Sequence, residues 1–232
     1  FAPFGYLKAE EVQFTINDTA EIQNVEMKDE VPTGLLIINK QGEFLEKITL
    51  LDRIKGTVEH LFEYVTGNLS QVTFEVYAAE DIKAADGVSD DYYKADELVG
   101  TITTDDNGIA QLDGLPAGKY YVKETETANG YVLDGEIRFV DLSYRDQDTP
   151  IITYEEEWQN ARQKVSVTVL KKEKDSERML EGGVFGLYTR NDILGRNGDV
   201  LMEADTLIEL KTTDENGQIT FTADLPLDGI YY

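Results

Sequence analysis

The chain has 232 residues, 41% of them hydrophobic, enough to enclose one large core or two smaller ones. It carries 46 Asp and Glu against 21 Lys and Arg, a net charge of −25 that repels nucleic-acid phosphates and anionic lipid headgroups and argues against both as partners. There is no cysteine to form disulfides and no apolar run near the ~20 residues of a membrane helix, so membrane insertion of this segment is not expected.

In chain order, the first strand-like alternation is Val12-Gln13-Phe14-Thr15-Ile16. Residues 43–65 are ambiguous, because Leu50, Leu51, Ile54, Val58, Leu61 and Phe62 also fit a helical period. Alternation returns at Val72-Thr73-Phe74-Glu75-Val76-Tyr77 and again at Val165-Ser166-Val167-Thr168-Val169. Asn107-Gly108, Asn129-Gly130, Asp134-Gly135, Asn197-Gly198 and Asn216-Gly217 punctuate these runs as turns. The chain begins at Phe1 and stops at Tyr232 within a strand-like run, so both ends read as cuts in a longer polypeptide.

The sequence also repeats itself. Asp105-Asp106-Asn107-Gly108, Leu115-Pro116 and Tyr120-Tyr121 return as Asp214-Glu215-Asn216-Gly217, Leu225-Pro226 and Tyr231-Tyr232, and Phe74-Glu75-Val76-Tyr77 returns as Phe185-Gly186-Leu187-Tyr188. Asp29 precedes Lys40 by eleven positions, and Asn160 precedes Lys171 by the same eleven. These matches divide the chain into the tail of one repeat (1–32), a complete repeat (33–160) and the opening portion of a third (161–232). The complete repeat carries an insertion at about 41–70, since Lys40 stands 34 positions before Phe74 while Lys171 stands 14 before Phe185.

Strand parity brings polar residues onto the core side. Lys40 is in phase with Leu36 and Ile38, Lys171 with Val167 and Val169, Asn160 with Trp158 and Ile152, Asp29 with Met27 and Val25, and Glu124 with Tyr120 and Val122. Any one of these reads singly as a strand-end residue clearing the rim of the core. Their recurrence at fixed spacing points to a chemical solution for groups that are costly to bury. Desolvation leaves a Lys neutral and nucleophilic and a Glu protonated. A neutral Lys held against an Asn carboxamide attacks its carbonyl carbon, with the Glu relaying the proton to departing ammonia. The product is an isopeptide bond; with Asp as acyl partner, water leaves instead.

Tyr120-Tyr121-Val122-Lys123-Glu124-Thr125 followed by Gly130-Tyr131 resembles the acidic box of the Cna B-type domains of Gram-positive surface proteins and pilins, also called SpaA-like prealbumin-fold domains. Gly114-Leu115-Pro116-Ala117-Gly118-Lys119-Tyr120 and the segment from Phe74 to Ile82 are similar to the same family. The resemblance covers essentially the whole chain and implies an all-β protein of tandem prealbumin-like (immunoglobulin-like) β-sandwich domains. Carried over by position, it implies Lys40 as the amine, Asn160 as the acyl partner and Glu124 as the catalytic acid. Lys171 and Asp29 become cross-link partners of the two incomplete repeats. Asn129 replaces the usual Pro of the box, a position that Pro3 holds in the first fragment. The family further implies an extracellular, cell-wall-anchored stalk, with neighbouring repeats of the same polypeptide as partners.

No turnover enzyme is expected, only single-turnover self-cross-linking, and no cofactor or metal is called for. Asp105-x-Asn107-Gly108 and its repeat lack the further acidic ligands of a calcium loop and read as hairpin turns. His60 has no second His or Cys for a zinc site and reads as a surface or packing residue. The rival reading is an adhesin or pilin module recognising a host matrix protein or glycan, with residues 41–70 or the acidic loop 83–96 as contact surface. A spacer within a secreted glycan-degrading enzyme is the third.

Overall fold

The structure, a computed structural model, describes residues 1–18, 22–52 and 58–232. Every regular element among them is a strand: β1 (Thr33–Asp52), β2 (Glu59–Asn68), β3 (Thr73–Ala78), β4 (Leu98–Thr103), β5 (Ile109–Pro116), β6 (Lys119–Glu126), β7 (Ile137–Asp141), β8 (Ile151–Asn160), β9 (Val167–Leu170), β10 (Val184–Tyr188), β11 (Ile193–Leu194), β12 (Val200–Met202), β13 (Leu207–Thr212) and β14 (Gln218–Phe221). The chain forms two compact units. The first holds Phe1–Gln41, Asn68–Asn129 and Leu133–Gln159; the second holds Gly42–Gly67, Gly130–Val132 and Asn160–Tyr232.

In the first unit one sheet has the order β4-β3-β6-β7, and the other is built on β1, which pairs with both β5 and β8. The β3–β6 pair is antiparallel and places Phe74 opposite Glu124, Val76 opposite Val122 and Ala78 opposite Tyr120. The β1–β5 pair is also antiparallel, with Ile38 opposite Ala110. Strand β8 runs in the same direction as β1: Thr33 N donates to Pro150 O at 3.0 Å and Asn39 Nδ2 to Glu155 Oε1 at 2.7 Å. Alternate residues of each strand turn inward, as the period-2 pleat requires. The core they make includes Leu36, Ile38, Phe74, Val76, Tyr120, Val122, Ile152 and Trp158.

The described residues of the ambiguous segment, 43–52 and 58–65, hold strands and no helix. β1 continues to Asp52 and β2 lies beside it, joined by too few residues for a parallel crossover, so the two make a hairpin. Its Ile48, Thr49, Val58, Phe62, Tyr64 and Val65 are β-branched or aromatic, types that favour a pleated surface; Ile54 lies outside the described residues. The alternation at Val12–Ile16 forms no strand. Its side chains are exposed, and among the described residues no neighbouring strand supplies the ladder and cover that would hold it extended in a sheet.

The second unit pairs β9 with β14, β10 with β13 and β11 with β12. Leu187, Ile193, Met202, Ile208, Ile219, Phe221 and Leu225 form its core together with Leu45 and Phe62 of the hairpin. The repeated turn motif has one geometry in both units. Asp105 Oδ1 accepts hydrogen bonds from the backbone N–H of Asn107 and Ile109, each 2.9 Å, and Asp214 Oδ1 accepts from Asn216 and Gln218 at the same distance. Gly108 and Gly217 follow with φ of +73° and +65°, which a Cβ disfavours.

Candidate functional site

Lys40 comes from β1 and Glu124 from β6, strands of the two different sheets of the first unit. Both point into the interior, where Lys40 Nζ meets Glu124 Oε2 at 2.8 Å with side-chain exposures of 0% and 1%. The lysine backbone is fixed on both sides: its N–H donates to Gly108 O at 2.7 Å and its carbonyl accepts from Leu69 N at 2.9 Å. Gly108 is required here, because a Cβ at that position would stand 2.5 Å from Lys40 O.

The walls are aromatic. Lys40 Nζ lies 5.5 Å from the centre of the Phe74 ring and 5.8 Å from that of Trp158, and these two rings pack edge to face at 5.1 Å. Burial among them pushes the Lys40 amine below its ordinary pKa, against the opposing pull of Glu124. Asp134 N donates to Glu124 Oε1 at 3.4 Å, which fixes the orientation of the carboxylate. Arg138 covers the outer side: its guanidinium sits 4.5 Å from the Trp158 ring centre and its Nη2 donates to Asp134 Oδ2 at 3.1 Å. Trp158 Nε1 in turn donates to Glu156 at 2.8 Å. Sequence reasoning read Asp134 only as a turn residue and passed over Arg138 and Glu156; the four-residue spacing of Asp134 and Arg138 was the signal available.

Asn160 is the last residue of β8 and is buried, on the same face of the strand as Trp158 and Ile152. The two residues assigned to incomplete repeats sit differently. Asp29 is exposed in a segment without strand, and Lys171 is exposed where enclosure had been expected. Lys171 keeps the counterpart of one wall, with Nζ 5.7 Å from the Phe185 ring centre, and its backbone is held as that of Lys40 is, by Gly217 O and Leu180 N. His60 Nδ1 donates to Ile208 O at 2.8 Å, a packing role. Among the described residues no group of three or more His, Cys, Asp or Glu is placed to hold a metal ion, and no helix is long and apolar enough to cross a membrane.

Two facing sheets, the long crossover that sets β8 beside β1, and a polar pair enclosed between the sheets define an all-β, prealbumin-like sandwich. Residues 63–158 match the model of the SpaA family, described as a prealbumin-like fold domain. The fold is similar to the Bacillus anthracis TIE protein, at a TM-score of 0.54 and 23% identity over 88% of this chain and 28% of that one. It is also similar to GBS52, the minor pilin of the Gram-positive pathogen Streptococcus agalactiae (TM-score 0.34, 22% identity, 59% of this chain and 48% of that one). The shaft pilin SpaA from Lactobacillus rhamnosus GG is a third (TM-score 0.33, 17% identity, 86% of each chain). The chain thus spans about a quarter to a half of the first two. No curated protein matches it by sequence.

Proposed function

We propose that this chain is a segment of a Gram-positive surface stalk or pilin, a non-enzymatic spacer whose central repeat is locked by an isopeptide bond between Lys40 and Asn160. The observation that carries the reading is the Lys40–Glu124 pair, 2.8 Å apart and closed to water. Two charges in such a setting are costly to desolvate; a proton passing from Lys40 to Glu124 neutralises both, and the amide then keeps the nitrogen uncharged, a physical reason for the arrangement to exist. Burial lowers the amine pKa, the direction that favours a neutral nucleophile. Asn160 is the acyl partner best supported, being buried two residues after Trp158 on the strand that runs beside β1.

In the reaction, Lys40 Nζ attacks Asn160 Cγ, the new Nζ–Cγ bond forms, and the Cγ–Nδ2 bond breaks. The amine loses a proton through Glu124 to the departing nitrogen, and ammonia leaves. Glu124 ends as it began, and the amide product carries no charge. The bond brackets nearly all of the central repeat and joins two neighbouring strands. Tension entering on β1 and leaving on β8 would then pass through a covalent link and bypass the sheet hydrogen bonds. Repeats of this kind in series make an inextensible spacer that holds a distal element away from the cell wall.

The family match and the pilins among the similar structures support a surface location and neighbouring subunits or repeats as partners. Single-molecule force spectroscopy tests the mechanical claim. The intact chain is expected to show no extension step from the 33–160 repeat, and Lys40→Ala to restore one. An extension of full sandwich length from the unmutated chain would refute the strut.

A further inference from the structure

We propose that residues 42–67, inserted in the sequence of the central repeat, are a core-completing hairpin of the following unit, and that residues 160–232 reach their folded state only with it. The reading goes beyond the cross-link and does not depend on it.

The two repeats frame the same point in the same way. Leu69 N donates to Lys40 O at 2.9 Å, and Leu180 N to Lys171 O at 3.0 Å. Between these partners the second repeat needs the eight residues 172–179, whereas the first uses the 28 residues 41–68. A short turn therefore suffices for the sandwich, and the extra length is used elsewhere. The burial phase of β1 shows where. Leu36, Ile38, Lys40 and Gly42 are buried at every second position, and the next buried residue is Leu45, out of phase with them. A slip of one residue in a strand sends its side chains to the other face.

Past that slip the hairpin belongs to the second unit. Leu45 and Phe62 are buried with Leu187, Ile208, Phe221 and Leu225. Polar contacts run along the second arm of the hairpin: Leu210 N donates to Val58 O at 3.0 Å, His60 Nδ1 to Ile208 O at 2.8 Å, and Tyr64 O–H to Asp224 O at 2.8 Å. Arg162 stacks 3.7 Å from the Tyr64 ring centre and lies 3.8 Å from the Glu43 carboxylate, while Arg196 covers Phe44 at 4.2 Å. Without the hairpin, residues 160–232 would hold three two-stranded sheets, an arrangement marginal in water unless an apolar face is covered. The hairpin is that cover, so a repeat of this array borrows part of its core from the repeat before it.

The test replaces residues 41–68 with the sequence of residues 172–179, the repeat's own short turn. Hydrogen exchange is read by mass spectrometry, and the single Trp158 reports the first unit. The expected result is a loss of protection of roughly a hundredfold or more over β10, β13 and β14, with β3, β6 and Trp158 emission unchanged. Full protection of residues 184–221 in this variant would overturn the proposal. Should the replacement disturb Trp158, the Leu45→Ala/Phe62→Ala variant decides. Selective loss over 184–221 supports the hairpin's role, and unchanged protection there rejects it.

Discussion

Lys40 Nζ and Glu124 Oε2 stand 2.8 Å apart between two sheets, in a space with no exposure to water. Removing one member of such a pair strips the other of its counter-charge in a low-dielectric interior, at a cost of roughly 3–5 kcal/mol. Glu124→Met, which leaves Lys40 as a buried amine without its partner, is expected to lose that amount and also the loop constraint of the cross-link, about 5 kcal/mol for a ring of this size on the chain-entropy model. Lys40→Met/Glu124→Met should recover the first loss and leave the second. Urea unfolding followed by Trp158 fluorescence reads both. Equal stability of the single and double variants would contradict the electrostatic account.

The approach of Gly108 to the Lys40 carbonyl makes the turn part of the site. A Cβ there would sit 2.5 Å from Lys40 O on a backbone with φ of +73°. Gly108→Ala is expected to destabilise the first unit by about 2–3 kcal/mol, from left-handed strain plus displacement of β1. It should also lower the cross-link yield, because it shifts the nucleophile. Gly217→Ala, with a Cβ 2.6 Å from Lys171 O, should cost as much in the second unit and leave the yield unchanged. Intact mass and unfolding midpoints of the two variants separate these effects.

Glu209 sets the acid limit of the second unit. It is buried, and burial alone pushes its carboxyl upward, but the ion pair to Lys211 and hydrogen bonds from Thr222 and Ala223 outweigh this and hold its pKa below the ordinary 4.5. A depressed carboxyl stabilises the fold above the unfolded-state value, and that contribution is lost as pH falls through the folded-state value. The second unit is therefore expected to lose stability as pH falls below about 4.5. Glu209→Gln should flatten that loss while lowering stability at pH 7 by about 1.5–3 kcal/mol. Near-UV circular dichroism during urea titration, with Trp158 as internal reference, gives the pH profile. An unchanged slope in the variant would show that another group governs it.

The hairpin also bears on the rival adhesin reading. Leu45 and Phe62 face the core of the second unit and are not offered to a ligand, while Leu50, Leu51, Leu61 and Val65 of the insertion stay exposed. The chain is expected to show no saturable binding to collagen, mucin or surface glycans in surface plasmon resonance. Binding abolished by substitutions in residues 83–96 would favour the adhesin instead.

Much of the first unit was legible because its strands are half buried and alternate strictly. Leu36, Ile38 and Lys40, or Tyr120, Val122 and Glu124, declare their shared face by parity alone, and the repeated Asp-x-Asn-Gly declares its turn. Parity is a local signal, and it failed where a strand lacks a partner. Val12–Ile16 alternates as well as any segment yet forms no strand, and Lys171 is in phase with its valines yet lacks the strands that would enclose it. The hairpin was unreadable for a different reason. Its apolar residues serve a core assembled from residues more than a hundred positions away, and the phase slip between Gly42 and Leu45 blurs the period. Arg138 escaped notice because an arginine on a short strand ordinarily faces solvent, and Asp134 read only as a turn residue.

Whether an amide joins the first and last strands of the middle repeat is best decided by peptide mapping. After proteolysis of the unmutated chain, tandem mass spectrometry is predicted to find one branched peptide joining Lys40 to Asn160, one ammonia lighter than its two linear parts and missing from Glu124→Ala. Recovery of both residues only in unmodified linear peptides would contradict the cross-link and leave a plain sandwich spacer.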